Sequence, residues 1–285
     1  MPDVSGRMTR MRSLLFVPGT QADMIAKIPR FGPDVAVVDL EDAVAPTDKA
    51  AARSTAAVAI DSLDAGRTTV LIRINPVDSA WFGDDLASAA ACAAVGVVVP
   101  KLSTLDQLRR LRAALDELSW PSAVVVAGIE TALGVADARP LLASGVSAAY
   151  FGAEDYIADI GGRRTPGGDE VLYARSQVCL AAHLAGIPAV DQAVVVLGDD
   201  EQFRADAAAG AAIGYQGKIC IHPRQVELAH DAFTPGPDAI AHARAVLSAG
   251  AGGVGVVDGQ MVDDVHLRIA RTVLARASQD PVGRE

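Results

Sequence analysis

The sequence predicts a (β/α)8 TIM barrel followed by a C-terminal extension. Short Val-rich runs, almost free of charge in their middles, recur along the chain. Each is followed by an Ala- and charge-rich stretch of helical length. Strands that are apolar throughout are buried on both faces, the signature of a parallel sheet. Eight such pairs match a barrel of about 250 residues. A doubly wound open sheet is the structural rival.

The elements follow in order. Strands are expected over 14–17, 35–40, 70–74, 97–99, 124–129, 148–151, 189–191 and 218–221. Helices are expected between them over 22–30, 49–62, 84–94, 105–118, 135–143, 171–185, 199–213 and 224–232. No linker rich in Pro, Gly or Ser divides this stretch, so residues 12–233 read as one catalytic barrel domain. Residues 234–285 read as the extension: a helix over 238–249, a strand-like 254–261 and a last helix over 265–277. A barrel does not need this tail, which is expected to pack on a neighbouring subunit.

Composition narrows the function. With 285 residues, 51% of them hydrophobic and 21% charged, the chain has ample material for a core and is too aliphatic for disorder. A net charge of −10 argues against a nucleic-acid surface, while local arginines can still serve an anionic ligand. Cys92, Cys179 and Cys220 have no metal or redox spacing and read as reduced thiols among apolar neighbours, with a cytoplasmic location as the default. The polar, basic start lacks a following apolar stretch of signal type. The longest apolar run, from Ala89 to Val99, is too short to span a bilayer. The pattern Gly250-x-Gly252-x-x-Gly255 fits a dinucleotide fingerprint, but a helix precedes it and a strand follows, the reverse of what that fingerprint needs. It reads as a turn.

Active sites of such barrels lie at the carboxyl ends of the strands. Asp39, Glu41 and Asp42 follow the second strand, Arg73 and Asn75 the third, Lys101 the fourth and Glu130 the fifth. Glu154 and Asp155 follow the sixth, Asp191 closes the seventh, and His222 follows the eighth. The fifth and sixth strands should be neighbours, about 4.8 Å apart. Glu130 and one of Glu154 and Asp155 would then share a small volume and need a counter-charge. One reading is a hard divalent cation, magnesium rather than zinc, because His and Cys ligands are lacking. The other is salt bridging of Glu130 and Asp155 with Arg73 and Lys101. Adjacent residues of a strand point oppositely. Glu154 and Asp155 therefore need not share one job, and the one that does not meet the metal, Glu154 if Asp155 is the ligand, should turn to loop backbone or a cation such as Lys101. Arg73, charged within an apolar strand, should fork onto a carboxylate of the protein or of a substrate. Lys49 and Arg53 read as rim pairing with Asp42 or Asp48, His222 as a loop brace, and Asp263 as a helix N-cap.

In order along the chain stand Leu14-Leu-Phe-Val-Pro-Gly19, Val38-Asp-Leu-Glu-Asp42, Ile72-Arg-Ile-Asn75, Val99-Pro-Lys101, Ile129-Glu-Thr131, Phe151-Gly-Ala-Glu-Asp155, Gly217-Lys-Ile-Cys-Ile-His-Pro223 and Asp258-Gly-Gln-Met-Val-Asp263. Together they resemble the citrate lyase β-subunit-like CoA-ester lyases of the magnesium-dependent HpcH/HpaI aldolase family. The resemblance implies that Glu130 and Asp155 ligate Mg2+, or Mn2+, and that Arg73 holds substrate oxygens beside the metal. It implies that Asp263 reaches a neighbouring subunit's site as the acid/base group, overriding the N-cap reading. It also implies homotrimers or hexamers. The expected reaction is cleavage of a citryl-, malyl- or citramalyl-CoA ester to a 2-oxo acid and an acyl-CoA. The alternatives are an aldolase acting on free hydroxy-oxo acids such as those giving pyruvate or oxaloacetate, and a carrier-dependent citrate lyase β subunit inactive alone. One departure stands out: Thr20-Gln-Ala-Asp-Met24 follows the first Pro-Gly, where many relatives carry a basic residue, and Lys27 is the nearest cation.

Overall fold

The computed structural model describes residues 10–250 and 254–278. Gly252 of the glycine pattern and the start of the chain lie outside them. The chain forms two compact units, one up to His230 and one from Asp231.

In the first unit eight parallel strands close into a barrel in sequence order. They are β1 (Ser13–Pro18), β2 (Val35–Asp39), β3 (Thr69–Arg73), β4 (Gly96–Val99), β5 (Val124–Ile129), β6 (Ala148–Phe151), β7 (Ala189–Asp191) and β8 (Gly217–Cys220). Closure comes from β8 pairing back to β1, with Leu14 opposite Ile219. The expected barrel is borne out, with strand ends displaced by no more than one residue. β-branched side chains suit these positions because they pack well on a pleated surface.

Every second residue turns inward. Leu14, Val35, Val37, Leu71, Val98, Val124, Val126, Tyr150, Val190 and Ile219 form one interior cluster, drawing on all eight strands. Their neighbours face the helices: α1 (Ala22–Ile25), α2 (Ile28–Phe31), α3 (Lys49–Asp61), α4 (Phe82–Ala90), α5 (Leu105–Glu117), α6 (Ala132–Ala136), α7 (Ala138–Leu142), α8 (Ala153–Asp159), α9 (Asp169–Ala185), α10 (Asp200–Ile213) and α11 (Pro223–Phe233), the last running on past His230.

Three helical expectations need correction. The single helix over 22–30 is two, and that over 135–143 is two, because Pro29 and Pro140 have no N–H to carry an i→i−4 ladder across the break. α8 was not expected; residues 153–155 open a helix directly after β6 instead of prolonging the strand. α5 starts as its sequence suggests, with a capping box between Thr104 and Gln107.

Asp191 does not face the barrel rim. It alternates with the inward Val190, so it points out between sheet and helices. There Arg175 of α9 forks onto it (2.7 and 2.5 Å), and Lys218 Nζ lies 3.0 Å away. Lys218 also binds Asp206 of α10 and the carbonyl of Gln192, and is fully buried. These charges staple α9 and α10 to β7 and β8.

The second unit has its own small core of Ala243, Val246, Val262, Leu267 and Ala270. It consists of α12 (Pro237–Ala249), an antiparallel hairpin of β9 (Gly255–Val257) and β10 (Gln260–Val262), and α13 (Asp264–Ser278). The single strand-like run over 254–261 is this hairpin. Asp258 and Gly259, both at positive φ, make its two-residue turn, a pairing suited to the twist of a hairpin. Among the described residues no helix is long and apolar enough to cross a membrane.

Replacing Lys218 by Met removes the ammonium from Asp191 and Asp206 and leaves both carboxylates to Arg175. Urea unfolding should show a loss of about 3–5 kcal/mol. A loss below about 1 kcal/mol would mean that the network contributes nothing to holding the wall.

Candidate active site

The barrel's alternation delivers side chains to its carboxyl rim. Val35, Val37 and Asp39 face inward on β2, and Leu71 and Arg73 on β3. Asp39 and Arg73 are partners in register. Arg73 forks onto Asp39, with Nε to Oδ1 at 2.7 Å and Nη2 to Oδ2 at 2.6 Å. Nη1 lies 2.9 Å from Glu41 Oε2, yet that buried oxygen accepts no hydrogen bond. The guanidinium rests on the Phe16 ring at 4.9 Å. Burial works to lower the Arg73 pKa, but its bonds to Asp39 outweigh this and hold it above its ordinary value. The carboxylate partners are therefore supplied by the protein: Asp39 takes the Nε and Nη2 edge, and Glu41 stands beside Nη1.

Asp39 does a second job. Its oxygens accept the N–H groups of Glu41 (2.8 Å) and Ala43 (3.2 Å), folding the chain after β2 back over the rim. Glu41 then meets Lys101 Nζ at 2.5 Å. Burial raises the Glu41 pKa, with Arg73 and Lys101 opposing.

Lys49 and Arg53 are not rim partners of Asp42 or Asp48. Lys49 is buried and donates to the carbonyls of Leu40 and Glu41, both at 2.7 Å, with its ammonium over the Trp81 ring. Arg53 pairs with Asp84 and Asp85, and Asp85 in turn accepts from Asn75. An uninterrupted helix from Lys49 carries both side chains beneath the loop instead of along its edge.

Glu130 sits at the end of β5 and is 1% exposed. Tyr150, inward-facing on β6, donates its hydroxyl to Oε1. Two glycines make room. A Cβ on Gly128 would stand 2.5 Å from the Tyr150 hydroxyl and collide with Glu130, and one on Gly152 would stand 2.5 Å from Glu130 Cγ. Burial pushes the Glu130 pKa up to about 8, the Tyr150 hydroxyl lowers it, and Glu41 and Asp155 raise it further. Burial and Glu130 together raise the Tyr150 pKa well above the usual phenol range.

Asp155 and Glu154 lie in the first turn of α8, so strand alternation does not separate them. Helical geometry does. Asp155 faces Lys101 Nζ at 3.3 Å, and Glu154 pairs with Arg164 at 3.0 Å. Lys101 is thus the partner of Asp155, not of Glu154.

A cleft of about 430 Å³ opens above the barrel core. Arg73, Glu130 and Asp155 line it together, with Phe16, Asp39 and Tyr150. The sequence named the first three. It did not name Tyr150, although a phenol inside an aliphatic strand, alternating with Ala148, was the available signal. Asp39 was on the rim but had no role, because register between strands is not written in either strand alone. His222 is exposed and its Nδ1 accepts the Arg224 N–H (3.2 Å), as a loop brace should. Asp263 belongs to the second unit, where Oδ1 accepts the N–H groups of Val265 (3.0 Å) and His266 (3.3 Å) at the start of α13. The bond from His266 holds its pKa below the usual carboxylate value. Among the described residues no three His, Cys, Asp or Glu side chains come together as a metal cluster, so the cleft offers a cation two carboxylates at most from this unit.

The HpcH/HpaI aldolase/citrate lyase family model matches residues 12–223. The chain belongs to this family. A citrate lyase subunit beta-like protein of Deinococcus radiodurans is 50% identical over 276 residues, covering 93% of this chain and 96% of that one. A (3S)-malyl-CoA thioesterase of Cereibacter sphaeroides is 31% identical over 274 residues, covering 93% and 94%. Among solved structures, CitE of Mycobacterium tuberculosis in complex with magnesium, acetoacetate and coenzyme A superposes with a TM-score of 0.80 at 34% identity, covering 93% of this chain and 97% of that one. The resemblance carried by the motifs is borne out.

A raised Glu130 pKa has a consequence for stability. The folded state keeps a proton that the unfolded chain releases near the ordinary value. Stability is therefore full below about pH 4.5 and is lost progressively as pH rises toward 8. In metal-free buffer, thermal denaturation should show the wild type losing stability across this window. Glu130→Gln should lose less. Parallel pH profiles for the two proteins would contradict the burial of an ionisable Glu130.

Proposed function

We propose that this protein is a magnesium-dependent carbon–carbon lyase. It cleaves, or in reverse forms, a 3-hydroxyacyl thioester of the citryl, malyl or citramalyl type, giving a 2-oxo acid and an acyl thioester. The observation carrying this reading is the convergence of Glu130, Asp155 and the Arg73 guanidinium on one cleft.

The cleft suits a hard divalent cation. Its donors are carboxylate oxygens, without imidazole or thiolate. Glu130 is buried with a raised pKa, so a nearby positive charge would stabilise its ionised form. Glu130 and Asp155 would hold Mg2+, or Mn2+, leaving positions for ligand oxygens. When bound, such an ion lowers the pKa of a ligating hydroxyl and polarises a forming carbonyl.

The chain's own groups supply the rest. Arg73, lining the cleft, neutralises charge on the carboxylate and oxo oxygens of the 2-oxo acid portion. The Asp39 fork and the Phe16 ring keep its guanidinium plane fixed. After loss of the hydroxyl proton, the carbon–carbon bond breaks toward the thioester, leaving an enolate carbon that must take up a proton. Asp263 of a neighbouring subunit exchanges that proton, as donor in cleavage and acceptor in condensation. Its exposed carboxylate, poised by His266, is consistent with a group borne toward a partner. On this reading the 234–285 extension serves an adjacent subunit, and the assembly is a homotrimer or hexamer. Three free cysteines accord with a cytoplasmic location.

One observation favours a second reading. The loop after β1 presents Gln21, Ala22, Asp23 and Met24 to solvent, with Lys27 as its cation. That loop is poor in charge for the phosphates of a free CoA ester, which keeps open a carrier-bound thioester as substrate. The aldolase reading for free hydroxy-oxo acids has no such support.

Purified protein should release a 2-oxo acid from malyl-, citramalyl- or citryl-CoA, and EDTA should abolish the activity. Asp155→Asn and Asp263→Ala should each lower kcat about 10²–10⁴-fold. Robust activity in EDTA, or full activity of Asp263→Ala, sinks the scheme. No activity on any CoA ester, with activity on carrier thioesters, selects the second reading.

A further inference from the structure

Among the described residues Lys101 is one of three other than glycine held at positive φ, at 51°. That backbone region is disfavoured for a long side chain, and such strain persists only where the surroundings enforce it. Here they do. The next N–H, of Leu102, donates to the Gly128 carbonyl at 3.0 Å. Ser103 Oγ binds the Lys101 carbonyl at 3.0 Å and meets Thr131 Oγ1 at 2.7 Å. The turn is thus tied to both sides of Glu130 in sequence, and it sets one ammonium beside Asp42 and Asp155, two residues that line the cleft.

That ammonium is shared by carboxylates of two separate elements. Glu41 is its firm anchor at 2.5 Å, Asp42 lies at 3.5 Å, and Asp155 at 3.3 Å. Glu41 is itself held against Arg73 and is 3% exposed, so its end of the bridge is fixed. Asp155 is the looser end, with its side chain 35% exposed.

We infer that Lys101 is an internal counter-cation for Asp155, a positioning residue that sets how tightly the cleft takes a divalent ion. This rests on the reading that Glu130 and Asp155 hold such an ion. In the unloaded protein Lys101 neutralises Asp155. On loading, Asp155 exchanges the ammonium for the ion, while Lys101 stays on Glu41. An ammonium within ion-pair reach of a carboxylate that ligates a divalent ion would repel that ion even at the effective dielectric of a protein surface. The bridge therefore weakens metal binding and makes it reversible. A merely structural lysine would have the opposite signature, since its loss would loosen the site.

The test is binding, without substrate. Mn2+ is titrated into wild type, Lys101→Met and Lys101→Arg and followed by electron paramagnetic resonance of the free ion, with Asp155→Asn as control. Lys101→Met should bind at least about fivefold more tightly than wild type, and Lys101→Arg within about twofold of it. Equal or weaker binding by Lys101→Met overturns the inference. Wild type that binds no Mn2+, or an Asp155→Asn variant that binds as wild type does, overturns the metal assignment itself and the inference with it. A chemical denaturation curve for each variant confirms folding. If Lys101→Met does not fold, Lys101→Gln takes its place with the same expectation.

Discussion

The site depends on one buried ion pair. A guanidinium inside an apolar barrel needs a fixed partner, and Arg73 finds it in Asp39 across a single strand register. Because both oxygens of Asp39 also take backbone N–H groups, the same pair dictates the course of the chain after β2. Glu41 is thereby brought to Arg73, and through Lys101 the charge pattern extends to the first turn of α8. Alternating fixed charges of this kind are costly to assemble but cannot drift once formed. The cleft is preorganised by its own electrostatics.

Much of the barrel was legible because burial on both faces leaves a strong trace. Strands as short as that at 189–191 were placed correctly, since the apolar Ala189-Val190 step between two helical stretches marks a strand that Asp191 closes. What escaped were features set by one residue against the general pattern. Pro29 and Pro140 divided helices that periodicity alone would continue. Asp258-Gly259 turned a strand into a hairpin.

The site divides in the same way. Glu130, Asp155 and Arg73 could be named because they interrupt apolar runs at strand ends, and the structure gathers all three around one cleft. Their partners could not be named. Whether Asp155 or Glu154 meets Lys101 depends on α8 beginning at Ala153, a matter of helix phase. Asp191 looked like a rim carboxylate because it ends a strand, yet alternation turns it outward to Arg175 and Lys218. Position along a strand foretold membership of the rim; the side of the strand decided the role.

Gly128 and Gly152 bear on heredity as much as on shape. They flank Glu130 so closely that neither position has space for a first side-chain carbon. Every amino-acid replacement reachable from a glycine codon by one base change adds that carbon. The pocket around Glu130 thus admits a replacement at either glycine only when a neighbour such as Tyr150 or Glu130 itself gives way.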